Sequence, residues 1–197
     1  MKEAIIVIMT AVLTNNFVLV KFMGVCPFLG ATSRNKSALY MSAATGIVMI
    51  TSSALTWLIW NKVLVPFEAE YTRTLLFVLT IACTVAVLQA MCGVFAKKAF
   101  DTLGKYLPLI ASNCAVLGLC VTNATEGYSF AVSMENAIGA SLGFGLALLM
   151  FSGVRERVEH SDVPEAFRGA PVALIAAAIV SLSFIGFTGL GVGLFGM

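Results

Sequence analysis

Charge is what this sequence has least of: Asp, Glu, Lys and Arg make up 11% of its 197 residues, where a soluble domain carries about a quarter. Hydrophobic residues reach 59%, which excludes an ordinary water-soluble fold. No phosphate loop, dinucleotide fingerprint, Ser/His/Asp constellation or HExxH motif occurs, so nucleotide binding and hydrolytic chemistry have no local basis. There is one histidine, and none of the five cysteines sits in C-x-x-C or Cys/His zinc spacing, which argues against a structural zinc site and a disulfide framework. A cleavable leader is not expected: "MKEAIIVIMTAVLTNN" has a lysine and an apolar run but no small-residue cleavage site before a polar mature chain.

Apolar runs are abundant. They cover about 5–29, 38–60, 75–95, 106–121, 130–154 and 172–195, each near the ~20 residues a spanning helix needs. The runs are continuous rather than alternating, so helices that satisfy their own backbone in lipid are favoured over a β-barrel. The expectation is an all-α integral membrane protein with six transmembrane helices, forming one transmembrane domain over 1–197.

Six spans alternate the loops between two sides. One side collects Arg34, Lys36, Lys97, Lys98, Lys105, Arg155, Arg157 and Arg168, while the other has only Lys2, Lys62 and Arg73. The positive-inside rule therefore puts the loops after spans 1, 3 and 5 in the cytoplasm and both termini outside. The segment "NATEGYSFAVSMEN", read as an outer loop, carries Glu126 and Glu135 and no basic residue. "RERVEHSDVPEAFRG", residues 155–169, reads as a solvated cytoplasmic loop able to dock a soluble partner, with His160 an exposed side chain. No nucleic-acid partner is expected.

A short repeat organises the chain. "VCPFLG" at 25–30 returns as "NCAVLG" at 113–118, an offset of 88 residues that superposes Cys26 on Cys114 and Gly30 on Gly118. An odd number of spans per copy forces inverted topology, so the expected architecture is two inverted three-helix repeats, approximately 1–97 and 98–197. Such folds bind substrates and ions near the midplane on interrupted helices. Gly24 and Pro27 bracket Cys26, while Pro108, Ser112, Asn113 and Gly118 surround Cys114, and these residues interrupt helices. Spans 1 and 4 are thus expected to be broken near the two cysteines.

Cysteine in a membrane helix is usually a small, soft hydrophobe, and Cys83, Cys92 and Cys120 are read that way. For Cys26 and Cys114 packing gives no reason to repeat the residue at both breaks. Paired thiolates suit a soft metal centre or a disulfide. Since iron–sulfur clusters are usually held by four thiolates, the pair resembles half of a [2Fe–2S] site, its other half on a second subunit. Asn15, Asn16 and Lys21 are polar groups at membrane depth and form a candidate ion pathway. The competing reading is that Lys21 snorkels and the asparagines bond across helices. Gly139 and Gly143, like Gly189 and Gly193, have G-x-x-x-G spacing and read as close helix packing.

"NNFVLVKFMGVCPFLG", "YLPLIASNCAVLG" and "DVPEAFRGAPVALIAAAIVSLSFIGFTGL" resemble the A subunits of the bacterial Rnf ion-translocating electron transport complex, across essentially the whole chain. The chain is more distantly similar to the E subunits of the sodium-translocating NADH:quinone oxidoreductase, Nqr. The "NNFVLVKF" lead-in and the proline after Cys26 favour Rnf. The resemblance implies a translocase subunit, not catalytic alone, in the bacterial inner membrane. It would pair with a homologous subunit of opposite topology, Rnf E, beside the other Rnf subunits, which would carry the flavins and further Fe–S clusters. Cys26 and Cys114 would supply half of an intramembrane [2Fe–2S] cluster in electron transport between ferredoxin and NAD, coupled to Na+ or H+ movement. The rival class is a small inverted-repeat ion transporter without a redox centre. It would be marked by carboxylates at the breaks, and the acidic residues instead lie in loops or near span ends.

Overall fold

The computed structural model describes residues 8, 10–14, 16–26, 35–66, 70–95, 107–162, 164 and 167–195, and among them every regular element is helical. A π-helical turn, Thr10–Thr14, comes first. Helix α1 runs over Asn35–Ile59 and continues as the π-helical Trp60–Leu64. A 3-10 turn, Glu70–Thr72, leads into α2, Arg73–Phe95. Then come α3, Leu107–Ala111, and α4, Cys114–Thr125. The last two are α5, Phe130–Glu159, and α6, Ala170–Phe195.

Ala38–Leu64, Arg73–Met91 and Phe130–Val158 are long and apolar enough to cross a membrane, and Leu109–Thr125 and Ala170–Gly186 are shorter apolar helices. Many of their hydroxyl residues are made compatible with lipid by local bonding. Thr51, Thr56, Thr80, Thr84, Thr125 and Ser183 each donate to the carbonyl four residues earlier, so these six present no free donor to hydrocarbon. The outward faces are apolar, with Ile47, Leu55, Leu79, Val87, Leu142 and Ile179 all exposed, as lipid or a membrane partner requires.

α1 and α5 form the central antiparallel pair. Gly145 faces Ser42, Gly46 approaches the Ser141 Cβ, and Ser53 lies against the Ser133 carbonyl, a descending register along α5. Phe144, Leu148 and Phe151 of α5 and Met41 and Met49 of α1 are fully buried around this seam. The first segment packs on the other side of α5 through glycine. A Cβ at Gly139 would sit 3.2 Å from the Ile8 Cα, and one at Gly143 3.2 Å from the Val12 Cα. The glycine spacing thus lets two backbones touch. Gly189 and Gly193 lie on α6, and their surroundings fall outside the described side chains.

Two of the expected loops are shorter than in the sequence reading. α5 starts at Phe130, so Glu135 is on its second turn and the connection from α4 is only 126–129. α5 also continues to Glu159 with His160 as its C-cap, so 155–159 extends the helix rather than opening a loop; Arg and Glu are good helix formers once outside the hydrocarbon. The fourth apolar run divides into α3 and α4 at Ser112 and Asn113, next to Cys114, where the sequence leads one to expect a break.

The end of α1 meets an aromatic group. The Trp57 Nε1 donates to the Tyr128 carbonyl at 3.0 Å, its ring packs edge-on against Phe130 at 5.1 Å, and Arg73 lies 5.7 Å over the Trp60 ring. Amphipathic rings of this kind belong at a membrane–water boundary.

Candidate functional site at two helix breaks

The first apolar segment leaves helical geometry between Asn16 and Gly24, and its freed backbone groups find partners. The Asn16 side chain is fully buried. Its Oδ1 accepts from the N–H groups of Val18, at 3.0 Å, and Leu19, at 3.3 Å. Its Nδ2 donates to the carbonyls of Val12 and Gly143, both at 3.0 Å. Val20 N–H bonds the Asn16 carbonyl, Met23 N–H bonds the Phe17 carbonyl at 2.8 Å, and the buried Ser181 hydroxyl of α6 donates to the Leu19 carbonyl. Irregular backbone at this depth survives only when it is satisfied within protein, and here one asparagine and one serine share that with local main-chain bonds.

The break ends at Gly24, which has φ +86°, a conformation that strains residues with a Cβ. Space is short as well: an added Cβ would lie 3.0 Å from Phe144 Cε2, 3.1 Å from Ala115 Cβ and 3.1 Å from Asn113 Oδ1. Phe22 also has positive φ, 54°, and it faces outward.

The second break lies between α3 and α4. Asn113, buried, is the N-cap of α4, and its Oδ1 accepts from Ala115 N–H at 3.0 Å while its Nδ2 has no partner among the described residues. This is the ordinary capping role of asparagine, and it makes Cys114 the first residue of a 12-residue helix. The two breaks touch. Gly24 N–H donates to Cys114 Sγ at 2.8 Å, and Met23 Sδ packs on Gly118 so closely that a Cβ there would force the Met23 side chain to move. Cys26 is two residues past Gly24, so its Cα lies within about 7.6 Å of the Gly24 Cα.

Cys26 and Cys114 are both free and exposed, so the two breaks carry them to one region of the surface. Cys83 is also exposed, on α2, and Cys120 is buried; the Cys92 side chain lies outside the described residues. Among the described residues no three His, Cys, Asp or Glu side chains come together as a metal site. Lys21 reaches back over the Phe17 ring, with Nζ 4.6 Å from its centroid. Asn15 lies outside the described residues.

One polar cluster was not read from the sequence. Asn123 of α4 donates to the Ser53 hydroxyl at 2.9 Å and accepts from Asn136 at 2.7 Å, and it joins α1, α4 and α5 in a buried knot. The runs "TSSALT" and "TNAT" were its only signal, and they do not say which residues meet.

A helical membrane protein with two cysteines held at touching helix breaks is the class these elements define. The family model described as "Rnf-Nqr subunit, membrane protein" matches residues 4–191. The chain is 47% identical over 195 residues to the A subunit of the ion-translocating oxidoreductase complex of Alcanivorax borkumensis, covering 96% of this chain and 98% of that protein. It is 44% identical over 190 residues to the protein of the same name from Syntrophotalea carbinolica, covering 96% and 98%. The Shewanella sediminis protein of that name is 45% identical over 190 residues, covering 96% and 99%. The chain belongs to the Rnf-Nqr family of membrane subunits.

Proposed function

We propose that this chain is the A-type membrane subunit of an Rnf ion-translocating oxidoreductase complex, and that Cys26 and Cys114 provide half of an intramembrane [2Fe–2S] cluster. Near full-length similarity to proteins named as the A subunits of ion-translocating oxidoreductase complexes supports the assignment to the complex. The observation that carries the cluster reading is the Gly24 N–H to Cys114 Sγ bond, because it couples the two breaks and with them the two repeated cysteines.

The residues present fit the group. Cys114 opens α4, beside backbone N–H groups of the helix start that have no acceptor within the helix and can donate to a cluster sulfur. The Gly24 N–H adds a hydrogen bond of the kind that tunes cluster sulfurs. Two thiolates from this chain leave two to come from a homologous partner of opposite topology, Rnf E. When bound, the cluster would accept and release one electron near the middle of a hydrocarbon layer ~30 Å thick, dividing the path across it. What the chain itself would do is hold the two sulfurs, fix the breaks around them through Asn16, Asn113 and Ser181, and pack Phe144 and Met23 against Gly24 and Gly118.

The architecture that goes with this reading is six spans in two inverted repeats, with both termini outward and the basic loops in the cytoplasm of an inner membrane. The first segment running beside α5 in one direction, while α1 runs against it, supports that arrangement. Electron flow between ferredoxin and NAD through the other subunits' flavins and clusters would be coupled to Na+ or H+ movement. An Nqr complex is the related alternative.

The test is the whole complex carrying Cys26→Ser, Cys114→Ser or Cys83→Ser. Loss of ferredoxin:NAD electron transfer in the first two, with Cys83→Ser near wild type, supports the reading. Retained electron transfer and ion movement in both would favour a transporter without a redox centre.

A further inference from the structure

Among the described residues one buried nitrogen donor has no acceptor: the side-chain Nδ2 of Asn113, a residue only 2% exposed. The other fully or nearly buried amides are committed. Asn16 uses both ends of its side chain, and Asn123 donates to Ser53 while accepting from Asn136. The remaining orphaned atoms are hydroxyl oxygens, of Thr45 and Ser52 on α1 and Ser133 on α5. Leaving a buried donor without an acceptor is costly, and in a native protein such a group marks a redox or catalytic role, a water or an ion.

The Asn113 amide lies where the two breaks meet. Its Oδ1 accepts from Ala115 N–H at 3.0 Å and lies 3.1 Å from where a Cβ on Gly24 would sit, and the Gly24 N–H in turn donates to Cys114 Sγ at 2.8 Å. The other groups meeting that point are the Phe144 ring and the Ala115 methyl, which offer a water none of the two to four polar partners it needs. Capping does not explain the choice of residue, because Asp and Ser cap helices about as well as Asn. Asp would bring another negative charge beside the sulfurs, and Ser has no NH2 left over once its oxygen serves the cap. Nor does the repeat explain it, since the offset of 88 residues sets Val25 opposite Asn113.

We infer that the Asn113 Nδ2 donates a hydrogen bond to an anionic sulfur of the cluster and, together with the Gly24 N–H, raises its reduction potential. The inference rests on the reading of Cys26 and Cys114 as cluster ligands. Uptake of an electron adds negative charge to the sulfurs, so a donor there stabilises the reduced form more than the oxidised one. The cap bond at Oδ1 holds the amide plane in advance, so the donor needs no reorganisation as the charge arrives. Asn113 ligates no iron; it is a tuning residue that acts on the sulfurs.

The experiment is a redox titration of the intact complex followed by electron paramagnetic resonance, with the shared cluster's signal taken as the difference between wild type and Cys114→Ser. Thermal unfolding is followed in parallel. Asn113→Ser keeps the cap and loses the amide donor, so its melting temperature should stay near wild type while the potential falls by about 59 mV, a tenfold change in a one-electron equilibrium. Asn113→Ala should show the same fall in potential together with a lower melting temperature; should it fail to fold, Asn113→Ser carries the test alone. Asn123→Ala, which breaks the polar knot, should lower the melting temperature and leave the potential unchanged. Resonance Raman spectra of Asn113→Ser identify the acceptor: bridging iron–sulfur bands move if it is a sulfide, terminal bands if it is a thiolate. A wild-type potential in Asn113→Ser, or a fall in Asn123→Ala as large as in Asn113→Ala, would overturn the inference and leave Asn113 a helix cap. A wild-type complex with no difference signal would overturn the cluster reading, and this inference with it.

Discussion

Replacing Asn16 by alanine removes a side chain whose two donors and two acceptor positions are all used inside the protein. The substitution strands the buried N–H groups of Val18 and Leu19 and unties the first segment from Gly143 on α5. A buried donor left without a partner costs about 1–3 kcal/mol, which gives about 2–6 kcal/mol for two. Side-chain hydrogen bonds within membrane proteins average only about 0.6 kcal/mol, so four bonds give about 2.4 kcal/mol. The two routes agree at roughly 2–3 kcal/mol. Asn16→Leu should cost a similar amount, because volume is restored but no bond is. The assay is detergent or thermal unfolding of the complex, alongside the Na+ and pH dependence of turnover. Loss of stability with unaltered ion dependence in the surviving fraction identifies Asn16 as the latch of the break. Stability within about 0.5 kcal/mol of wild type, combined with a changed ion dependence, would refute that and make Asn16 an ion ligand.

Gly24→Ala should cost about 1–2 kcal/mol from the left-handed backbone alone, plus crowding against Phe144, Ala115 and Asn113, and iron content of the complex should fall because the Cys26 turn moves. In Gly139→Ala the new methyl would come within 2.8 Å of Ala11 Cβ and 3.2 Å of Ile8 Cα, and separating the two backbones should cost about 1–3 kcal/mol in the same unfolding assay. Trp57→Phe keeps a ring against Phe130 but loses the Nε1 bond to Tyr128, so a loss of about 1 kcal/mol is expected, with electron transfer unaffected.

Much of this was legible in the sequence, for identifiable reasons. Hydrocarbon demands long apolar runs, so composition announced a helical membrane protein and bounded its longest helices to within a few residues. The repeated Cys-x-x-Leu-Gly marked two related places, and the glycine and proline around each marked breaks, because those residues act on the backbone locally. What could not be read was long-range partnership. Asn16 looked equally suited to an ion or to a helix contact until its amide was found on Gly143, 127 residues away. Ser181 gave no sign that it would bond Leu19, and the Asn123 knot needed three helices in place before its polar groups met. The helical extension through Glu159 was missed because charge was taken as a loop signal, although a helix that emerges from the membrane carries charge readily.

Whether Cys26 and Cys114 hold one side of a shared iron–sulfur cluster is decided by electron paramagnetic resonance with iron and sulfide analysis. The sample is this chain purified with its homologous membrane partner, compared with its Cys26→Ser and Cys114→Ser variants. A [2Fe–2S] signal is expected in the wild-type pair and should disappear in each variant. An iron-free wild-type pair, or a signal that survives both substitutions, would contradict the shared cluster and return the two cysteines to packing at the helix breaks.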